Sequence, residues 1–200
     1  MSAAIALRGV TKRFGDHLVL DGIGLELERG TVTAVTGPNG SGKTTAARLL
    51  LGLETPDTGT VEGMAGLRRA AVFQDDRLCG HLDAVANVQL VLNRDRRADA
   101  MGELARVGLA SAALEKPVRN LSGGQRRRVA IARAMAVGAD LIILDEPFTG
   151  LDVDAKPEVM AYVRERLTGR TALLISHDPA EVTFFGAREV RLGRGPGLGM

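Results

Sequence analysis

The sequence predicts an α/β fold built around a phosphate-binding loop, with a small antiparallel β lobe and an inserted helical lobe. Three observations carry that expectation. A glycine-rich stretch, Gly37 to Thr45, sits between an apolar strand candidate (Thr31 to Thr36) and an amphipathic helix candidate (Lys43 to Leu51). Two continuous apolar runs, Leu141 to Leu144 and Ala172 to Ile175, are each followed by polar residues, the pattern of buried parallel strands whose carboxyl ends carry a site. Between Asp83 and Leu114 the apolar residues recur at helical spacing (Val85, Val88, Leu92; Leu104, Val107).

Along the chain, Ile5 to Leu7, Val19 to Leu20 and Ile23 to Leu27 read as antiparallel strands divided by Gly and Asp turns. The helix after the glycine-rich stretch stops at Gly52. A Thr55-Pro56-Asp57-Thr58-Gly59 turn, a short strand near Val61 and another at Ala70 to Phe73 follow. Residues 1–200 read as one domain, with the helical lobe inserted over about 77–128. A last strand ends near Leu192, and residues 193–200, rich in glycine, are expected to be flexible.

With 200 residues, 45% apolar, 25% charged and a net charge of +2, the chain suits one soluble unit with a substantial core. Charges of both signs are interspersed, so the basic excess does not by itself imply nucleic acid. A single cysteine, Cys79, excludes an internal disulfide and a thiolate metal cluster; a reducing cytosol and a role as small apolar filler are expected. No leader pattern opens the sequence, and no apolar run approaches the ~20 residues that span a bilayer. If a membrane is involved, a partner must supply it.

Gly37-Pro38-Asn39-Gly40-Ser41-Gly42-Lys43-Thr44-Thr45 fits the pattern G-x-x-x-x-G-K-[ST] in its strand, turn and helix context. The glycines let consecutive N–H groups turn inward, and the helix adds unpaired donors and its dipole, so the loop forms a socket for phosphates. Lys43 supplies a point charge for β- and γ-phosphates, and the Thr44 hydroxyl suits Mg²⁺. The stretch predicts binding of a nucleoside triphosphate.

Two adjacent carboxylates, Asp145 and Glu146, follow the apolar run that ends at Leu144. Asp145 fits the magnesium shell, and Glu146 fits a base that orients water, against a plain turn signal as the simpler reading. Leu121-Ser122-Gly123-Gly124-Gln125 precedes a helical run from Arg126 to Val137. Ser122 and Gln125 have capping-box spacing, while the two glycines bare the first N–H groups of the helix to a phosphate. Arg126, Arg127 and Arg128 strengthen that field or, for most of them, form a solvated charged face.

In these motifs and their order the chain resembles the ATP-binding cassette ATPases that drive ABC transporters. The resemblance covers almost the whole chain, and implies a P-loop NTPase (RecA-like) core that binds and hydrolyses ATP with Mg²⁺. It assigns Phe14 to adenine stacking, Gly37 to Thr45 to Walker A, Gln74 to the Q-loop and Leu121 to Gln125 to the signature. Asp145 and Glu146 match Walker B and the catalytic glutamate, Thr149 to Asp152 the D-loop, and His177 the switch histidine. On this reading Thr44, Gln74 and Asp145 serve the metal, Asp152 and Ser122 to Gln125 the nucleotide, and Lys43, Glu146 and His177 catalysis. Read alone, Phe14 either stacks on adenine or packs on the antiparallel sheet, and His177 either donates to a γ-phosphate or is an ordinary core histidine.

The resemblance further implies a head-to-tail dimer, taken as a homodimer, around two ATP molecules. It implies a membrane-spanning permease that holds the chain on the inner face of the cell membrane, and no nucleic-acid partner. Val72 to Leu78 with Asn87-Val88 look similar to cassettes of bacterial small-solute importers, which adds a solute-binding protein. The segment between Gly59 and Val72 is shorter than in many relatives, and no regulatory domain is expected after Leu192. The alternative is a non-transport cassette acting on a ribosomal or nucleic-acid partner. Such chains usually carry two cassettes or a long coiled-coil insert, and neither occurs here. A regulator without turnover would not need both Glu146 and His177.

Overall fold

The structure is a computed structural model that describes residues 4–92 and 96–193. In chain order come β1 (Ile5–Phe14), β2 (His17–Leu27), β3 (Val32–Thr36), α1 (Lys43–Leu51), β4 (Thr58–Glu62) and β5 (Arg69–Val72). Then follow α2 (Ala84–Gln89), α3 (Arg97–Arg106), α4 (Ser111–Leu114), a 3-10 turn at Val118–Asn120 and α5 (Gly123–Ala136). Next are β6 (Leu141–Asp145), α6 (Lys156–Leu167), β7 (Thr171–Ile175), α7 (Pro179–Phe184) and β8 (Arg188–Arg191). The chain divides into two compact units: Met1–Arg69 with Asp140–Asp145 and Gly169–Met200, and Ala70–Ala139 with Glu146–Thr168.

The first unit holds an antiparallel sheet in the order β2-β1-β4 and the parallel strands β6-β7-β3-β8. Every residue of β6 and β7 is buried, which is why these strands read as unbroken apolar runs. Ile143 lies opposite Leu173, and Val35 opposite Ile175, so the carboxyl ends of β3, β6 and β7 are aligned. Helix α1 ends where Gly52 takes the left-handed conformation and its N–H caps the Arg48 and Leu49 carbonyls.

Val19 to Leu20 and Ile23 to Leu27, expected as separate strands, are one strand. The register jumps from Lys12 opposite Leu20 to Val10 opposite Ile23, so Asp21 and Gly22 form a bulge rather than a turn. The Gly22 N–H donates to Thr11 Oγ1, which satisfies the bulged backbone without ending the pairing.

In the second unit α2, α3 and α5 pack on one another, and α6 packs on α5. Val85, Val88, Leu104, Val129, Ile131 and Val163 are at most 1% exposed and form its core. The helical lobe expected over 77–128 falls inside this unit, which also contains α6. The tail expected to be flexible lies, after Gly193, outside the described residues. The α6 hydroxyl of Tyr162 donates to the Glu103 carboxylate on α3, with the Arg106 guanidinium 4.9 Å from its ring. No helix among the described residues is long and apolar enough to cross a membrane.

Candidate functional site

In the first unit the glycine-rich loop joins β3 to α1. Gly42 caps α1 with φ 86°, and a Cβ there would lie 2.3 Å from Leu20 Cδ2. Gly37 has φ 142°, and its Cβ would stand 2.3 Å from the Leu192 carbonyl oxygen. Both positions therefore exclude a side chain on conformational and steric grounds. The buried Lys43 ammonium donates to the Gly37 and Pro38 carbonyls, 2.9 Å each, and so sits inside the curl of the loop. Ser41 is 2% exposed, and its hydroxyl has no hydrogen-bond partner among the described residues. Asn39 and Gly40 are exposed at the rim, and Thr45 is half-buried in the first turn of α1.

Thr44 Oγ1 donates to Asp145 Oδ2 over 2.9 Å, so the first turn of α1 meets the end of β6. A hydroxyl and a carboxylate together are hard oxygen donors of the kind Mg²⁺ takes, usually with several waters and phosphate oxygens completing its shell. No group of three or more His, Cys, Asp or Glu side chains able to hold a metal occurs among the described residues.

Phe14, at the end of β1, is 43% exposed, so it is not sheet core. The Lys12 ammonium stands 5.2 Å from its ring centroid and is held by Glu54 and Asp57 at 3.7 and 3.6 Å. His177 is exposed just beyond β7, and so is not a core histidine either. It lines a cavity of about 260 Å³ together with Thr36, Ser176, Thr183 and Glu189. The turn that carries it is fixed by Ser176, whose hydroxyl donates to Glu181 Oε2 (2.6 Å) and accepts from the Asp178 N–H (3.0 Å).

In the second unit α5 begins at Gly123, three residues before the helical run read from Arg126 and where the capping-box spacing of Ser122 and Gln125 puts its start. Ser122 Oγ accepts from the Gln125 N–H (3.2 Å), and Gln125 Oε1 accepts from the Ser122 N–H (3.0 Å), a complete capping box. Ser122 and Gly123 are exposed, while Gly124 is buried against the loop after β6. A Cβ on Gly124 would lie 3.2 Å from the Gly150 carbonyl and 3.5 Å from Asp152 Oδ2, so the start of α5 and the loop after β6 are close-packed. Glu146 has φ 48°, a left-handed conformation that a glutamate rarely adopts.

Arg126, Arg127 and Arg128 are not simply a solvated charged face, since each donates to a backbone carbonyl. Arg127 is 7% exposed and donates to the carbonyls of Phe73 (2.6 Å) and Gln74, with Asp76 Oδ1 3.4 Å away. Arg126 donates to the Leu121 carbonyl, and Arg128 to those of Gly108 (2.8 Å) and Gly124 (3.4 Å). Arg128 also stands 3.8 Å from Asp152. Gln74 itself is exposed. Burial pushes the Asp76 carboxyl above the usual carboxylate range, and Arg127, Arg126 and Arg133 pull it back. The buried Asn87, singled out only as part of a phrase, accepts from the Cys79 N–H (2.8 Å) and donates to the Cys79 and Asp83 carbonyls (3.2 and 2.9 Å).

A family model described as ABC transporter matches residues 20–149. An aliphatic sulfonates import ATP-binding protein SsuB from Burkholderia ambifaria is 41% identical over 96% of the chain and 62% of its own length. A relative with the same printed name from Nocardia farcinica is 39% identical over 96% of the chain and 79% of its own length. An Fe(3+) ions import ATP-binding protein FbpC from Mesorhizobium japonicum is 39% identical over 92% of the chain and 56% of its length. The chain thus spans about three fifths of the length of the Burkholderia relative. Among solved structures, the ATP-binding cassette MJ0796, in a dimeric post-hydrolysis state bound to ADP and Pi, superposes with a TM-score of 0.84 at 27% identity. That match covers 94% of both chains.

Proposed function

This chain belongs to the ABC transporter family, and from that premise we propose that it is the ATP-binding and ATP-hydrolysing subunit of a solute importer. The reading treats residues 1–200 as one cassette domain that works on the inner face of the membrane, as a homodimer attached to a permease, with a solute-binding protein upstream. What supports it most is the Thr44 to Asp145 hydrogen bond beside a loop that admits no side chain at Gly37 or Gly42. A hydroxyl and a carboxylate are there joined at the first turn of the helix that the loop opens.

On this reading the loop N–H groups and Lys43 hold the β- and γ-phosphates, the buried Ser41 hydroxyl gains an acceptor, and Phe14 stacks on adenine. Thr44, Asp145 and Gln74 are the residues that would hold Mg²⁺, which when bound neutralises charge on the phosphates. Glu146 orients the attacking water and takes its proton at the carboxylate, and His177 donates to the γ-phosphate. Ser122 to Gln125 and Asp152 serve the nucleotide of the second copy, whose γ-phosphate is bound by the bared N–H groups of α5. Loss of the γ-phosphate removes the contact that favours the closed pair, so hydrolysis opens it.

Copurification tests the assignment. The chain expressed with its own membrane partners should isolate with a permease and release phosphate from ATP; isolation with a ribosomal or nucleic-acid partner and no membrane protein would support a non-transport cassette instead.

A further inference from the structure

We propose that Arg127 is a positioning residue for Gln74: its guanidinium fixes the main chain of Phe73 and Gln74 and thereby sets where the Gln74 amide is held during turnover. This rests on the reading of the chain as a cassette ATPase. The segment between β5 and α2 has no ladder or helix to satisfy its backbone, so its carbonyls need other partners. Two side chains of α5 provide them for residues 73, 74, 76 and 77. Arg127 serves Phe73 and Gln74, and Arg133 serves Asp76 (3.0 Å) and Arg77 (2.8 Å).

Arg127 is buried and carries a planar fork with fixed donor directions. Its distance to two successive carbonyls and to the Asp76 carboxylate is therefore fixed by geometry, which a lysine does not reproduce. The segment it holds is bent. Arg77 has φ 46°, and its guanidinium stacks 3.8 Å from the centroid of the Phe73 ring. A non-glycine residue keeps such a backbone only where its surroundings hold it. Arg127 also stands one helical turn beyond Gly123 and Gly124 on the same helix, so the capped end of α5 and the Gln74 backbone share one rigid element.

The test combines Arg127→Met with Asp76→Asn, so that no half-buried carboxylate is left unpaired. Hydrogen exchange is read without nucleotide. Amides of residues 73–80 should exchange at least about tenfold faster, with Tm and exchange elsewhere unchanged. The kcat for ATP should fall about tenfold with ATP affinity unchanged, and Arg127→Lys should not restore it. In a Gln74→Ala background the same pair should cause no further fall, because the residue acted upon is gone. Unchanged exchange in 73–80, or an equal fall in kcat with and without Gln74, would overturn the proposal. With an inactive wild type the exchange result alone decides the clamp, and only the ATPase reading falls.

Discussion

Thr44 Oγ1 donates to Asp145 Oδ2 over 2.9 Å, a bond between the first turn of α1 and the last residue of β6. Asp145 is 4% exposed, so the bond is shielded from water. Thr44→Val keeps the shape and removes the donor, which should cost about 1–3 kcal/mol in urea unfolding. Magnesium-dependent ATP binding should fall as well, while magnesium-free binding to the loop persists. Unaltered stability together with unaltered magnesium dependence would remove both residues from the metal assignment.

Gly42→Ala tests the loop itself. At φ 86° a Cβ is strained, and here it would also meet Leu20 Cδ2 at 2.3 Å and the Val19 carbonyl at 3.1 Å. The strain and displacement together should cost about 2 kcal/mol or more, against at most about 1 kcal/mol gained in helix propensity. Thermal unfolding and titration with a fluorescent ATP analogue should both weaken.

Glu146 separates stability from chemistry. Its φ of 48° costs a non-glycine residue about 1 kcal/mol. Glu146→Gly should therefore leave Tm unchanged or raise it by about 2–4 °C, while Glu146→Gln leaves it near wild type. Both should bind MgATP and hydrolyse it slower by orders of magnitude, since neither supplies a carboxylate to take the proton of water. Full turnover by Glu146→Gln would remove the assigned base.

The features legible in the sequence are those encoded within a few residues. Glycines 42 and 52 bracket α1, unbroken apolar runs mark β6 and β7, and Ser122 with Gln125 spell the capping box. Helix α6 is missing from the sequence reading, because its many charges mask the period of Val159, Met160, Tyr162, Val163 and Leu167, which line its buried side after Pro157. Strand β2 was misread because a bulge and a turn share the Asp-Gly signature, and only the partner strand β1 decides between them. The arginines of α5 illustrate the harder limit. Arg127 is buried because it meets a carbonyl 54 residues away, and no local pattern contains that partner.

If the chain works as proposed, the Ser122 edge of one copy serves the nucleotide held by Lys43 in another. Ser122→Arg should bind ATP as a dilute monomer, since its own loop is intact, yet neither dimerise nor hydrolyse. Lys43→Ala should fail to bind ATP tightly. Phosphate release from an equimolar mixture of the two variants is the most direct measurement, because one interface of the mixed dimer pairs an intact loop with an intact capped helix. Activity absent from each variant should return in part on mixing. A mixture as inactive as its components, or normal hydrolysis by Ser122→Arg alone, would contradict it.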